Sequence, residues 1–276
     1  MRAVAAAAAL VLLAAAALVW RPPSTSSPGK LTAGPLAAAA LEPAPVPTPS
    51  ATGMPAATGV AGHSVPAHIA NDALLLPRPE PITSLTGYVW PIAHPRLTLP
   101  FGPTSWGTRV VDGDLFHDGV DLATFCGDRI VATHDGVVLA AGRHFDDFIG
   151  WVGSLDAYDQ LLNVHDLWNE LPIVVIVDDG NTYRSVYAHF SKVVVHAGQW
   201  VHAGQLIGYE GMSGHATGCH LHYGMFSPLE NATFGIDPKV AKDMRLPGLE
   251  IARIDPLGVL PYRKGISGTE TNLGSG

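Results

Sequence analysis

Hydrophobic positions fall into two unlike patterns along the chain. An unbroken apolar run from Ala3 to Trp20 follows a single Arg2, and Arg21-Pro22-Pro23 comes after it. A charged start before an apolar stretch is an export signal. The run approaches the length of about 20 residues that spans a bilayer. Residues 1–20 therefore read as a signal peptide or an N-terminal membrane anchor. No apolar periodicity follows in residues 21–87. More than half of the 23 prolines lie between residues 21 and 85, among many Ala, Ser and Thr and with no aromatic side chain. Ala44-Pro45-Val46-Pro47-Thr48-Pro49 is extended and semi-rigid, so this segment reads as a linker.

From about Tyr88 onward short apolar runs alternate with turn residues. Ile130 to Thr133 and Val137 to Ala140 flank His134-Asp135-Gly136, which predicts a hairpin. Ile173 to Val177 and Thr182 to His189 flank Asp178-Asp179-Gly180-Asn181, which predicts a second. Val193 to Val195, Gln205 to Gly208 and His220 to Phe226 read as further strands. The expected fold is mostly β, one compact antiparallel domain over residues 88–240. Residues 144–171 interrupt the pattern. Ser154 is placed to cap a helix with Leu155, Tyr158, Leu162 and His165 on one face. The insertion holds six acidic residues and no Lys or Arg, so it reads as a solvated excursion; Trp151 and Trp168 make a groove wall the alternative. Residues 241–276 form a C-terminal extension, its end from Thr269 expected to be disordered.

Composition narrows the function classes. Net charge is −8 and only 14% of residues are charged. No basic stripe exists, which argues against nucleic acid as a partner. Cys126 and Cys219 are the only cysteines. In an exported chain their default is a disulfide; thiolate metal ligands and free thiols are the alternatives.

The chemistry concentrates in histidines. In His220-Leu221-His222 the side chains at i and i+2 leave a strand on the same side. His117-Asp118-Gly119-Val120-Asp121 offers an imidazole and a carboxylate four residues apart. Three N/O ligands with one open position is the pattern of a catalytic zinc.

Four motifs in order carry a family resemblance. They are Phe116 to Ala123, Tyr187-Ala188-His189-Phe190-Ser191, Gly198 to Gly208 and Gly214 to Tyr223. Gly127 to Ala132 and Asp135 to Val138 fit between them. Over about Trp90 to Pro228 the chain resembles the lysostaphin/LytM-type zinc endopeptidases, which cut peptidoglycan peptides. The resemblance implies an antiparallel metallopeptidase domain and one zinc per chain held by His117, Asp121 and His222. It implies that His189 and His220 stay off the metal and act on the substrate. Sharing one metal would also bring Cys126 and Cys219 together.

The resemblance further implies hydrolysis of peptide stems or cross-bridges, and the N-terminal segment places the chain outside the cytoplasm, secreted, wall-associated or membrane-anchored; a monomer is expected. The competing expectation is a non-catalytic or latent member that regulates another wall hydrolase; such members typically lose zinc ligands, and all five positions are filled here. Two departures stand out. Nearly thirty residues after Gly142 replace a short turn, and Arg109 lies farther behind Phe101-Gly102 than the family's arginine.

Overall fold

The computed structural model describes residues 77–266. The chain divides into two units, residues 1–66 and 67–276, and every described residue belongs to the second. The expected signal or anchor, most of the linker and the expected disordered end lie outside the described residues. Among the described residues no helix is long and apolar enough to cross a membrane.

Sixteen short strands and two helices follow one another among the described residues. The strands are β1 (Arg96–Leu99), β2 (Gly102–Pro103), β3 (Arg109–Val111), β4 (Asp114–His117), β5 (Val120–Ala123), β6 (Arg129–Val131), β7 (Gly136–Gly142) and β8 (Val174–Asp178), then β9 (Arg184–Ala188), β10 (Lys192–Val193), β11 (Trp200–Val201), β12 (Leu206–Tyr209), β13 (Leu221–Phe226), β14 (Thr233–Ile236), β15 (Leu249–Ile251) and β16 (Arg253–Ile254). Helix α1 (Asp156–His165) lies in the insertion and α2 (Pro238–Met244) precedes β15. The largest sheet runs β1-β5-β13-β9-β8-β7-β11, with β16 also paired to β13. Two smaller sheets run β10-β12-β6 and β15-β14-β3-β4-β2. Every pairing is antiparallel.

The large sheet is apolar on both faces, but for different reasons. One face packs Val120, Leu122, Val175, Val177, Tyr187, Leu221, Tyr223 and Met225 into the main core with Ile130, Ile207 and Phe190. On the other face Ala140, Val174, Ile176, Val186, Ala188 and Phe226 meet Tyr158 and Leu162 of α1. The insertion is therefore not a solvated excursion. Its helix packs on strands β7, β8, β9 and β13, and burying an aromatic and a leucine stabilises that contact by about 1.5–3 kcal/mol each. Ser154 is not the cap: Leu155 takes the N-cap position without a side-chain capping bond, and Ser154, one residue earlier, accepts the Asp156 N–H at 3.1 Å. His165, expected on the inner face, is exposed.

The hairpin across Asp178 to Asn181 is present: β8 pairs with β9 from Asp178↔Arg184 onward. The hairpin across His134-Asp135-Gly136 is not. β6 pairs with β12 and β7 pairs with β8. The turn residues there direct the chain from one sheet into another, and β7 gains a five-pair register with β8 that a three-residue β6 could not offer. Strands β15 and β16 of the C-terminal extension pair with β14 and β13.

Candidate active site

Strand register assembles the site. On β13, His222 lies opposite Asp121 of β5 on one side and Ala188 of β9 on the other. Val120 and Leu122 point into the core, so Asp121 leaves β5 on the opposite face. His117 ends β4, where it pairs with Gly102. Gly119 explains how these elements approach so closely. A Cβ there would lie 2.7 Å from both His222 Nε2 and the Tyr223 carbonyl oxygen. The glycine makes room for the imidazole of the facing strand, rather than tightening a turn between His117 and Asp121.

His117, Asp121 and His222 bring one donor atom each to a common point. His117 Nε2 lies 3.0 Å from His222 Nδ1 and 3.2 Å from Asp121 Oδ1. His222 Nδ1 lies 3.1 Å from the same Asp121 oxygen. The set fits a cation that takes imidazole and carboxylate ligands. The second nitrogens support that fit. His117 Nδ1 is 2.9 Å from the Pro100 carbonyl, which only accepts, so Nδ1–H donates and Nε2 keeps its lone pair for the common point. His222 Nε2 faces Asp118 Oδ1 at 3.8 Å. Burial alone would lower the His117 pKa, but contact with Asp121 raises it. Burial alone would raise that of Asp121, yet the two imidazoles hold it well below the usual carboxylate range.

His189 and His220 flank this trio. Their ring centroids are 4.6 Å apart, and that of His189 is 6.3 Å from that of His222. His220 Nε2 lies 3.7 Å from Asp121 Oδ1. Each ring is held by the same device. His189 Nδ1–H donates to the Ser213 carbonyl at 2.7 Å and His220 Nδ1–H to the Gly218 carbonyl at 2.9 Å. The lone pair of each ring is thereby assigned to Nε2. His189 has a left-handed backbone, φ 71°, just past the end of β9, which releases its ring from strand alternation. Burial pushes its pKa down to about 4, so it is neutral near pH 7.

Behind His222 lies a group of charges that sequence reading did not find. Asp118 Oδ2 is 3.4 Å from Arg109 Nη2 and 3.3 Å from Arg253 Nε. Glu250, fully buried, accepts from Arg253 Nη2 at 2.9 Å and from Arg109 Nε. Burial would raise the Asp118 pKa, but the two guanidiniums lower it far more. Arg253 also donates to the Ile149 carbonyl at 2.8 Å and stacks 4.5 Å over Phe226. Arg109, whose displacement from Phe101-Gly102 was a departure from the family, belongs to this group. The available signal was Leu249-Glu250-Ile251-Ala252-Arg253-Ile254, an apolar strand pattern broken by two opposite charges.

Cys126 and Cys219 are joined as a disulfide, 93 residues apart in sequence. The bond ties the loop after Asp121 to the residue before His220. His215, by contrast, is exposed, and His134 stacks on Tyr88 at 4.6 Å, away from the trio.

Residues 115–233 match peptidase family M23. Over this stretch, somewhat under half of its length, the chain is similar to M23 peptidases. Among curated proteins, peptidoglycan DD-endopeptidase ShyA of Vibrio cholerae is 34% identical over 107 residues, 39% of this chain and 19% of ShyA. Glycyl-glycine endopeptidase ALE-1 of Staphylococcus capitis is 31% identical over 107 residues, 39% of this chain and 24% of ALE-1. The chain spans about a fifth to a quarter of the length of the first curated relatives it matches. The catalytic domain of lysostaphin from Staphylococcus simulans superposes with a TM-score of 0.37 at 22% identity, over 59% of this chain and 90% of that domain. The M23 match contains His117, Asp121, His189, His220 and His222. It omits Arg109, Glu250 and Arg253, so part of the charge group behind His222 comes from outside it.

Proposed function

We propose that this protein is an exported zinc-dependent endopeptidase that hydrolyses peptide bonds of peptidoglycan stems or cross-bridges. The observation that carries the reading is the convergence of His117 Nε2, Asp121 Oδ1 and His222 Nδ1 within 3.0–3.2 Å, with His189 and His220 alongside. These three residues would hold one zinc. When bound there, zinc supplies Lewis acidity and lowers the pKa of a coordinated water toward about 7.

The chain's own residues do the rest. His189 and His220 each keep Nε2 free, because Nδ1–H is held by a carbonyl. One accepts a proton from the attacking water, and the other stabilises the carbonyl oxygen or returns a proton to the departing amine. The sequence has no His-Glu-x-x-His motif to supply a glutamate base, so these proton movements fall to the two histidines. Names of relatives that include peptidoglycan endopeptidase activity support the substrate class. The complete set of five residues favours an active enzyme over a non-catalytic regulator. Metal analysis tests the assignment: the purified protein is expected to carry one zinc per chain, and His222→Ala to carry far less. Equal zinc in both would remove His222 from the site.

A further inference from the structure

A cavity of about 680 Å³ opens beside the end of β5, lined by Ile92, Arg96, Ala123, Phe125, Asp128 and Arg129 among others. Its position relative to the metal donors follows from register. Ala123 is two residues beyond Asp121 on a strand whose buried and half-buried residues alternate, so both side chains leave the same face. Arg96 of β1 lies directly opposite Ala123, which sends its side chain to that face as well. Two strand residues span about 7 Å. An extended peptide with one carbonyl at the metal donors therefore reaches this cavity with its second or third neighbouring residue.

The cavity is positively charged in a chain of net charge −8. Among the described residues neither Arg96 nor Arg129 forms an ion pair, whereas Arg109 and Arg253 are fully engaged with buried acids. The lining holds one carboxylate, Asp128, which accepts the Phe125 N–H at 3.3 Å, against the two guanidiniums. Phe125 is 80% exposed and stands next to the Cys126–Cys219 bond. On the other side of the trio, α1 closes the sheet face, so the Arg96 side is the open one.

We propose that this cavity is a subsite for a carboxylate on the substrate peptide, held two to three residues from the scissile bond by Arg96 and Arg129. The proposal rests on the endopeptidase reading and makes it narrower: acidic stem peptides are preferred over neutral glycyl bridges.

Binding separates the two claims from each other. One probe is a cross-linked stem peptide with its free carboxylates; the other is the same peptide with them amidated. Calorimetry on the His189→Ala protein is expected to give at least about fivefold tighter binding of the free-carboxylate form. That preference should vanish in Arg96→Gln/Arg129→Gln on the same background, with the amidated peptide's affinity unchanged. It should also shrink between about 0.01 M and 1 M salt in the protein that keeps both arginines. Equal affinity for the two peptides, or a preference that survives the double substitution, overturns the subsite. If the preference is present but the wild-type protein cleaves neither peptide, the endopeptidase reading falls and the carboxylate subsite stands.

Discussion

At the residue scale, the site depends on which nitrogen of each histidine is committed elsewhere. Pro100, Ser213 and Gly218 carbonyls occupy Nδ1 of His117, His189 and His220. His222 is turned the other way round, with Nδ1 toward the donors and Nε2 toward Asp118. Replacing His189 or His220 by alanine is expected to lower peptide hydrolysis by roughly 10²–10⁴-fold while leaving zinc content intact. Near wild-type rates in both variants would show that neither histidine moves a proton. A second residue acts on stability. Asp179 is buried in the core, where it accepts from Tyr88 Oη and Ser185 Oγ, each at 2.8 Å. Burial pushes its pKa up to about 8, against about 3.9 in the unfolded chain. The folded state then binds the extra proton, so this contribution is fully present below about pH 4 and is lost as pH rises through about 8. Asp179→Asn should flatten the fall of Tm between about pH 5 and 9. An unchanged slope would show that the carboxyl does not titrate in that window.

At the scale of elements, β16 contributes to a site formed far away in sequence. Arg253 links Asp118 behind His222, Glu250 on β15 and the Ile149 carbonyl in the insertion. Removing one member of a buried charge group is destabilising by about 3–5 kcal/mol, and loss of an outer partner of a metal ligand costs about 10–100-fold in metal affinity. Arg253→Met is expected to show both effects, read as Tm and as zinc affinity by chelator competition. A lower Tm with unchanged zinc affinity would make Arg253 a purely structural residue. The pattern of the chain made much of this legible. His220 and His222 stand two apart as strand alternation requires, His117, Asp121 and His189 sit in short local motifs, and the Asp178 to Asn181 turn joins two runs that pair with each other. The misread pieces depend on long-range competition. The Asp135-Gly136 turn looks like a hairpin, but β6 finds β12 and β7 finds β8. Asp118 looks like a spacer because Arg253 and His222 lie on strands more than a hundred residues away and Arg109, though near in sequence, meets it only once β3 and β4 are paired. The insertion looks solvated by its acid content, because Tyr158 and Leu162 reveal their burial only when the sheet face is present.

At the scale of the whole molecule, a single large sheet serves two tasks. One face is core, and the other is divided between α1 and the row of functional side chains. The Cys126–Cys219 bond crosses the region between the Asp121 loop and the His220 strand. Closing so long a loop stabilises the fold by up to about 4–5 kcal/mol in the chain-entropy model, and it fixes the two segments that must approach each other for His220 to stand beside Asp121. The central claim is that this arrangement hydrolyses peptidoglycan peptides with zinc held by His117, Asp121 and His222. The most direct measurement is mass analysis of the products released when the zinc-loaded protein is incubated with purified peptidoglycan, beside a His222→Ala control. The account predicts new amine and carboxyl ends at a peptide bond, produced by the wild-type protein and absent from the control. Intact peptides with the wild-type protein, or equal release by His222→Ala, would contradict it.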